Sequence, residues 1–297
     1  MNISDFAYGT EKMIDPMLVG KTHYMQTRLC KLPKFIQRRI ITSATKKTKE
    51  MGFVVEPYAF FLFYEIKDPA SVQKYLPADY RPAKSCAFVG DTPRYYGIVS
   101  IFRLHTSTFW GARAEIYLTT ENIKTGQLSW VILDYVSDTI SYDYRHGLRS
   151  PDASHAVVTT TCEGHFLAEL KHHDRHRCII CEADLTHATS RELDEKLWIE
   201  GNTSIAYGEE LAGNDTGDLF SLTFLPREMK TAWTIPAKDV HIKKLVWFPE
   251  MTNTELAGAV CFPFAQHMLS DRPGVSTHYG SKSALEKAAN SVHFKET

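Results

Sequence analysis

From Pro57 to Phe264 the chain offers one β-like segment after another, with no helix-length pattern between them beyond short stretches. YAFFLFYEI, CAFVG, YYGIVSIFRLHT, ARAEIYLTTEN, LSWVILDYV, TISYDYR, AVVTTTCEGHFLAELK, CIICEADLT, LFSLTFLP, TAWTI and DVHIKKLVWF follow in quick succession. They are rich in the β-branched and aromatic residues that suit a pleated, half-buried surface. Gly126 in ENIKTGQ marks a hairpin turn between two of them. DPASVQKYL reads as a short helix, with Asp68 as its cap and Pro69 in its first position. Segments 190–214 add a short helical stretch and a glycine-containing loop. So many strands without separating helices curl into a barrel, a cone or two packed sheets. No Pro/Gly/Ser-rich linker and no internal repeat divides this stretch. The expected fold class is mainly β (α+β): a large antiparallel β cone or barrel enclosing a cavity, with an N-terminal helical arm.

The flanks read differently. Residues 1–30 show no clear period and read as an arm or surface wrap. Between Lys31 and Met51, Leu32, Phe35, Ile36, Ile40 and Ala44 recur at helical spacing, among Lys34, Arg38, Arg39, Lys46, Lys47 and Lys49. A basic amphipathic helix can lie on an anionic membrane, but a surface helix docked on the body or on a partner subunit has the same pattern. The docked arrangement is the expectation, and no membrane partner is expected. SKSALEKAANSVHF is a weak helix or a frayed end. The expected division is an arm over 1–56, a β domain over 57–271 and a tail over 272–297.

Charge and cysteine content narrow the function. The net charge of −1 gives no basic field to draw nucleic acid. Six cysteines at irregular spacing are not a disulfide scaffold. MNISDFAYGTEKMIDP lacks the apolar core of a secretory signal. YAFFLFY and LAGAVCFPFA fall well short of the ~20 apolar residues that a spanning helix needs. A cytoplasmic protein with reduced thiols is the expectation.

Polar clusters carry the candidate chemistry. KHHDRHRCIICEADLTH holds His172, His173, His176, Cys178, Cys181 and His187, with zinc-like Cys-x-x-Cys spacing. The surrounding pattern is a hairpin, however, and residues three apart on a strand face opposite sides. Buried thiols beside a solvated turn are expected, and no metal. SYDYRHGLRSPDASH is a loop entered from a strand and broken by Gly147 and Pro151. There Arg145 and Arg149 can clamp a carboxylate, and His146 or Tyr142 can move a proton. In ARAEIYL, Arg113 and Glu115 are two apart and share one strand face. Alternation leaves open whether that face is cavity or solvent. On DVHIKKLVWF, simple alternation sets Lys243 and Lys244 each among apolar neighbours. A desolvated lysine is a candidate amine nucleophile, although a lysine stem lying on apolar surface with its ammonium in water is commoner. No phosphate loop, dinucleotide fingerprint, GxSxG or HExxH is present, so no cofactor is expected.

Four stretches together resemble the acetoacetate decarboxylase superfamily: YEIKDPASVQKYLPADYRPA, GQLSWVILDY, AWTIPAKDVHIKKL (with Ala232, Trp233, Thr234 and Pro236) and LAGAVCFPFAQHML. Their order and rough spacing agree with that family over about Pro57 to Asp271. The resemblance implies a large antiparallel β cone around a cavity and a homo-oligomer. It also implies a lysine pair, forming a Schiff base, in the loop after the Leu-Asp strand. That place falls near Arg149 and Ser150, and no lysine lies between Lys124 and Lys171. An arginine cannot form the imine. The family's glutamate on the preceding strand corresponds to Glu115. The expected function is therefore a lyase-type enzyme acting on a small carboxylate or carbonyl compound, a keto or unsaturated acid, without classical Schiff-base decarboxylation. Glu115, His146 and Tyr142 would be catalytic, and Arg113, Arg145 and Arg149 would bind substrate. The alternatives are a non-catalytic binder of small ligands with the same fold and a membrane-surface protein docked through 31–51.

Overall fold

The computed structural model describes residues 3–44, 50–143, 147–174, 176–212, 221–270 and 279–294. Three helices open the chain: α1 (Ile3–Lys12), α2 (Pro16–Leu29) and α3 (Lys34–Ala44). The longer strands that follow are β1 (Met51–Val55), β2 (Ala59–Glu65), β3 (Arg94–Thr106), β4 (Trp110–Asn122), β5 (Leu128–Ser137), β6 (Ala153–Thr160), β7 (His165–His172), β8 (Cys178–Asp184), β9 (Thr231–Ile235), β10 (Val240–Val246), β11 (Leu256–Phe262) and β12 (Gln266–Ser270). A last helix, α4 (Lys282–Ser291), closes the described chain.

Among the described residues, a 13-stranded sheet forms the body, and β6–β7–β8–β10 form a second sheet of four. The main sheet is organised by the length of β3. One edge of β3 pairs with β4, which pairs with β5. The other edge is shared: β2 takes Tyr96–Ile101, and β1 takes Leu104–Thr106. The sheet forks there. One branch runs β2–β11–β9 to Thr189–Glu192, and the other runs β1–β12 to Leu222–Phe224.

The fold is thus mainly β with N-terminal helices, as expected, but its sheet is mixed and open among the described residues. Ile205–Tyr207 joins β5 in parallel, and the two branches of the fork diverge from β3 instead of meeting. CAFVG forms no strand; it contributes one bridge, Phe88 to Leu193.

Both faces of the main sheet are covered, which explains its near-continuous apolar runs. Every residue of β5 is buried. One face supplies Phe60, Leu62, Val99, Ile101, Ala114 and Ile116 to a core closed by Phe166, Ile179, Cys181 and Ala183 of the second sheet. Phe60 and Phe166 stack across that boundary at 4.5 Å. The other face supplies Phe63, Ile98, Tyr117, Trp130, Ile132 and Phe262 to a second core.

Residues 3–29 are largely helical, in α1 and α2, where an arm without clear period was expected. Asp15 caps α2 by accepting from the amides of Met17 and Leu18 at 3.0 and 3.2 Å, with Pro16 in the first turn. Helix α2 buries only Val19, Thr22 and Leu29, so little apolar period shows in its sequence. In α3, Ile41 packs with Leu29, Phe109, Ile140 and Leu148. The tail segment forms α4, capped by Ser281 accepting from Ala284 N at 3.2 Å and anchored by fully buried Leu285. Asp68 caps Pro69–Tyr75 as expected, in a 3-10 helix. No helix among the described residues is long and apolar enough to cross a membrane.

Candidate functional site

Between the two branches of the fork lies a cavity of about 170 Å³. Phe102, Leu104, Arg113, Glu115, Tyr117, Trp130 and Ile132 of β3–β5 form its floor. Phe53, Val55, Gln266 and Met268 wall one side, and Phe61 and Phe262 the other. Trp198 closes it from the helical turn Lys196–Glu200. An apolar cavity of about 150 Å³ holds benzene, so the space fits a ligand of that order. A mostly apolar hollow with a few convergent polar groups is the usual form of a small-molecule site.

The polar groups converge on β4. Arg113, Glu115 and Tyr117 of this strand face the cavity, while Ala112, Ala114, Ile116 and Leu118 face the inter-sheet core. Arg113 Nε donates to Glu115 Oε1, and Tyr117 Oη donates to Glu115 Oε2. Arg113 Nη1 donates to Ser141 Oγ at 2.6 Å. The guanidinium also lies 3.9 Å from the Tyr135 ring centre. Side chains of Arg113 and Glu115 are only 12% and 6% exposed. Burial pushes the Glu115 carboxyl up from the ordinary 4.5, with Arg113 acting against it. For Arg113, burial opposes the charge, but Glu115, Tyr135 and Tyr207 more than offset it, so the guanidinium stays protonated.

Tyr135 reaches this place through a β-bulge. Glu115 pairs with Tyr135 and Ile116 with Asp134, but Tyr117 pairs with Ile132, which leaves Leu133 as the extra residue. Bulges re-aim the side chains that follow them. Here Val131, Leu133 and Val136 all enter the inter-sheet core across the bulge, and Tyr135 turns to Arg113. Asp134 turns the other way, accepting from Arg177 Nε at 2.9 Å and Trp247 Nε1 at 3.1 Å.

The rim is the ribbon Ser141–Asp143 with Gly147–Arg149, in which Ser141 faces Arg149. Arg149 is exposed, with its guanidinium 5.5 Å from the Tyr135 ring. Gln37 of α3 holds the ribbon: its Oε1 accepts from Leu148 N at 2.8 Å, and its Nε2 donates to Leu32 O at 2.8 Å. Gly147 has φ +86°, and a Cβ there would sit 2.4 Å from Gln37 Oε1, so only glycine fits.

Arg113 and Glu115 therefore point into the cavity, resolving what alternation left open. Arg149 stands beside the cavity, over the same ring as Arg113. Arg145 and His146 lie outside the described residues, as does the side chain of Tyr142. Lys243 and Lys244 are exposed on an edge strand of the second sheet, and Lys243 pairs with Glu182. The desolvation that would activate them is missing. Ile180 pairs with Lys244 but Cys181 with Ile242, so Lys243 is the extra residue of a bulge. That bulge lets Ile242 and Leu245 share the core and turns both ammonium groups outward. Cys178 and Cys181 are buried on β8, and burial pushes the Cys181 thiol up to about 12.

Sequence reasoning missed Tyr117, Tyr135, Ser141, Trp130 and Trp198. Tyr117 was within reach, being two residues past Glu115 on the same face. Trp198 and the wall from β1 and β12 come from distant segments that no local pattern connects.

No family model matches the sequence, and no curated protein matches it significantly. Among solved structures, the chain is similar to two acetoacetate decarboxylases at low sequence identity. One is an acetoacetate decarboxylase structure at 11% identity over 82% of this chain and 95% of that one, with a TM-score of 0.42. The other, from Legionella pneumophila, is 14% identical over 77% of this chain and 88% of that one, with a TM-score of 0.45.

Proposed function

We propose that this protein is a lyase-type enzyme that binds a small, largely apolar keto or unsaturated acid in the forked-sheet cavity and acts on it without a Schiff base. The carrying observation is the Arg113–Glu115–Tyr117 constellation, buried on one strand face in an otherwise apolar hollow of about 170 Å³. The reaction class rests on the sequence resemblance. The absence of an imine step rests on the lining, which contains no lysine among the described residues.

Arg113 and Arg149 against Glu115 leave the site one positive charge in surplus, which suits a carboxylate. Arg149 at the rim receives the anion. Arg113, desolvated and fixed by Glu115 and Ser141, faces charge that develops on a carbonyl oxygen, and such preorganised donors count most where water is excluded. A carboxyl pushed up by burial holds a proton closer to neutral pH than an ordinary one does. Glu115 is thus suited to give a proton to carbon, or to take one, as a bond beside the carbonyl breaks. Tyr117 hydrogen-bonds the carboxylate left after proton donation.

The test is turnover of a panel of short and aryl keto acids and unsaturated acids by the wild type and by Glu115→Gln. Turnover by the wild type, lost in Glu115→Gln with ligand affinity retained, is the expected result. Borohydride trapping during turnover is expected to give no covalent adduct, and an adduct would return the mechanism to a lysine. A ligand that binds tightly at the cavity without turnover under any condition identifies a binding protein instead. Saturation of both Glu115 oxygens by Arg113 and Tyr117 is the feature that favours this second reading.

A further inference from the structure

Helices α2 and α3 concentrate basic charge. Between Pro16 and Ala44 the chain has six lysines and arginines and no aspartate or glutamate. The whole chain nets −1, so the remaining residues hold a surplus of seven acids. This is a strong segregation of sign.

Both helices have an inner and an outer face. On α2 the buried residues Val19, Thr22 and Leu29 make one stripe. Met17, Lys21, Tyr24 and Arg28 recur at four, three and four residues, which puts them on the opposite side. On α3, Gln37 and Ile41 are buried, while Phe35 and Arg39 are on the opposite side. Leu29 and Ile41 pack in the same cluster, so the two helices rest on one patch of the body and turn their outer faces away from it.

Those outer faces are not merely basic. Tyr24 is 90% exposed, Phe35 72% and Met17 69%, the three most exposed large apolar side chains among the described residues. Exposed apolar groups set among basic ones mark an interaction surface.

We propose that the outer face of α2 and α3 docks on an anionic lipid surface. Lysine and arginine would sit at the headgroups, each attracted to anionic lipid. Tyr24, Phe35 and Met17 would enter the interfacial layer, where amphipathic aromatic rings are favoured. The helices lie on the surface and do not span it, since their inner stripes stay on the body. A two-fold contact with a second copy of the chain does not fit this face. A two-fold contact would bring the basic patch against itself, because such an interface is self-complementary. A nucleic acid would satisfy the charge, but Met17 offers no ring on which a base could stack. Beneath the two helices, Phe109 and Ile140 pack with Leu29 and Ile41 and line the cavity, so a layer of helix separates the docked lipid from it.

The test is co-sedimentation of the full chain with vesicles of three parts phosphatidylcholine to one part phosphatidylserine, and with pure phosphatidylcholine. The protein is expected to pellet with the anionic vesicles at low salt. It should stay in the supernatant with neutral vesicles, and with anionic ones at about 1 M salt, where screening acts within about 3 Å. Arg28→Ser with Arg39→Ser is expected to weaken binding roughly 30-fold, at about fivefold per basic side chain. Tyr24→Ser with Phe35→Ser is expected to release the protein while leaving its circular dichroism and unfolding midpoint unchanged. Wild-type protein that remains in the supernatant with anionic vesicles at low salt overturns the proposal. So does a single-stranded RNA homopolymer that binds more tightly and displaces the vesicles, which would make the face a nucleic-acid surface. Undiminished binding by both double variants overturns it as well.

Discussion

Replacing Arg113 by Met removes one charge of a buried pair and leaves the other. Met fills much of the arginine stem's volume, so packing changes little and electrostatics dominates. Glu115 then keeps only the Tyr117 hydrogen bond, at 5% residue exposure. Leaving one partner of such a pair uncompensated costs about 3–5 kcal/mol. The loss is pH-dependent, with a sign that follows from proton linkage. Burial already raises the folded pKa of Glu115 above the ordinary 4.5, and Arg113 is what opposes it. Without Arg113 the folded value rises further. Well below the unfolded value both states carry the proton, and the variant pays no charge penalty. As pH rises toward the folded value, the folded protein still holds a proton that the unfolded chain has released. Stability then falls by up to about 1.4 kcal/mol per pH unit. Urea unfolding followed by tryptophan fluorescence, near pH 5 and near pH 8, measures this directly. The Arg113→Met deficit is expected to be large at the higher pH and much smaller at the lower. Adding Glu115→Gln should remove most of the difference between the two pH values. An Arg113→Met deficit of equal size at both pH values, unrelieved by Glu115→Gln, would refute the view that Arg113 holds a buried carboxylate.

Other perturbations probe the scaffold. Gly201→Ala places a Cβ 2.2 Å from Trp130 Nε1, whose indole lines the cavity and donates to Leu197 O at 3.0 Å. It should cost about 1–3 kcal/mol by overpacking and weaken ligand binding, read by urea unfolding and calorimetry. Phe60→Ala removes the ring stacked on Phe166 at 4.5 Å, and should cost about 3–5 kcal/mol in urea unfolding. His267 sits between Glu228 and Glu11, at 2.9 and 3.1 Å, and ties α1 to β12. Burial opposes its charge, but the carboxylates win and raise its pKa above 6.5. Its contribution is fully present below the unfolded value and lost as pH rises through the raised folded one. The stability gap between wild type and His267→Gln should therefore narrow above neutral pH, and a constant gap would exclude an ionic clamp.

The strands were legible because physics wrote them into contiguous sequence. A sheet covered on both faces needs apolar side chains at nearly every position, and YAFFLFYEI and LSWVILDYV supply them. The same double covering hid the orientation of Arg113 and Glu115: with cores on both sides, alternation says which residues share a face but not which face holds the cavity. Of the N-terminal helices, α3 was legible from its apolar spacing, but α1 and α2 escaped; α2 buries so little that its period is faint, although Asp15 and Pro16 carried a readable start signal. On β10, alternation placed Lys243 and Lys244 in apolar company, but one extra residue shifted the phase and solvated both. Closure of the sheet was not legible, because it depends on how β3 divides one edge between β1 and β2, a long-range choice.

The bulge at Leu133 shows how little sequence separates a structural position from a functional one. Without it, strict alternation would put Tyr135 on the side of Leu133 and send Asp134 to the side of Trp130, into the cavity beside Glu115. Two carboxylates against Arg113 and Arg149 would cancel the positive surplus that suits an acid. The extra residue reverses both. Tyr135 comes under Arg113 at 3.9 Å, and Asp134 is spent on Arg177 and Trp247 between the sheets. The same irregularity therefore ties the second sheet to the first and sets the charge of the cavity. A substitution that restored regular pairing at this point should disturb stability and ligand charge preference together.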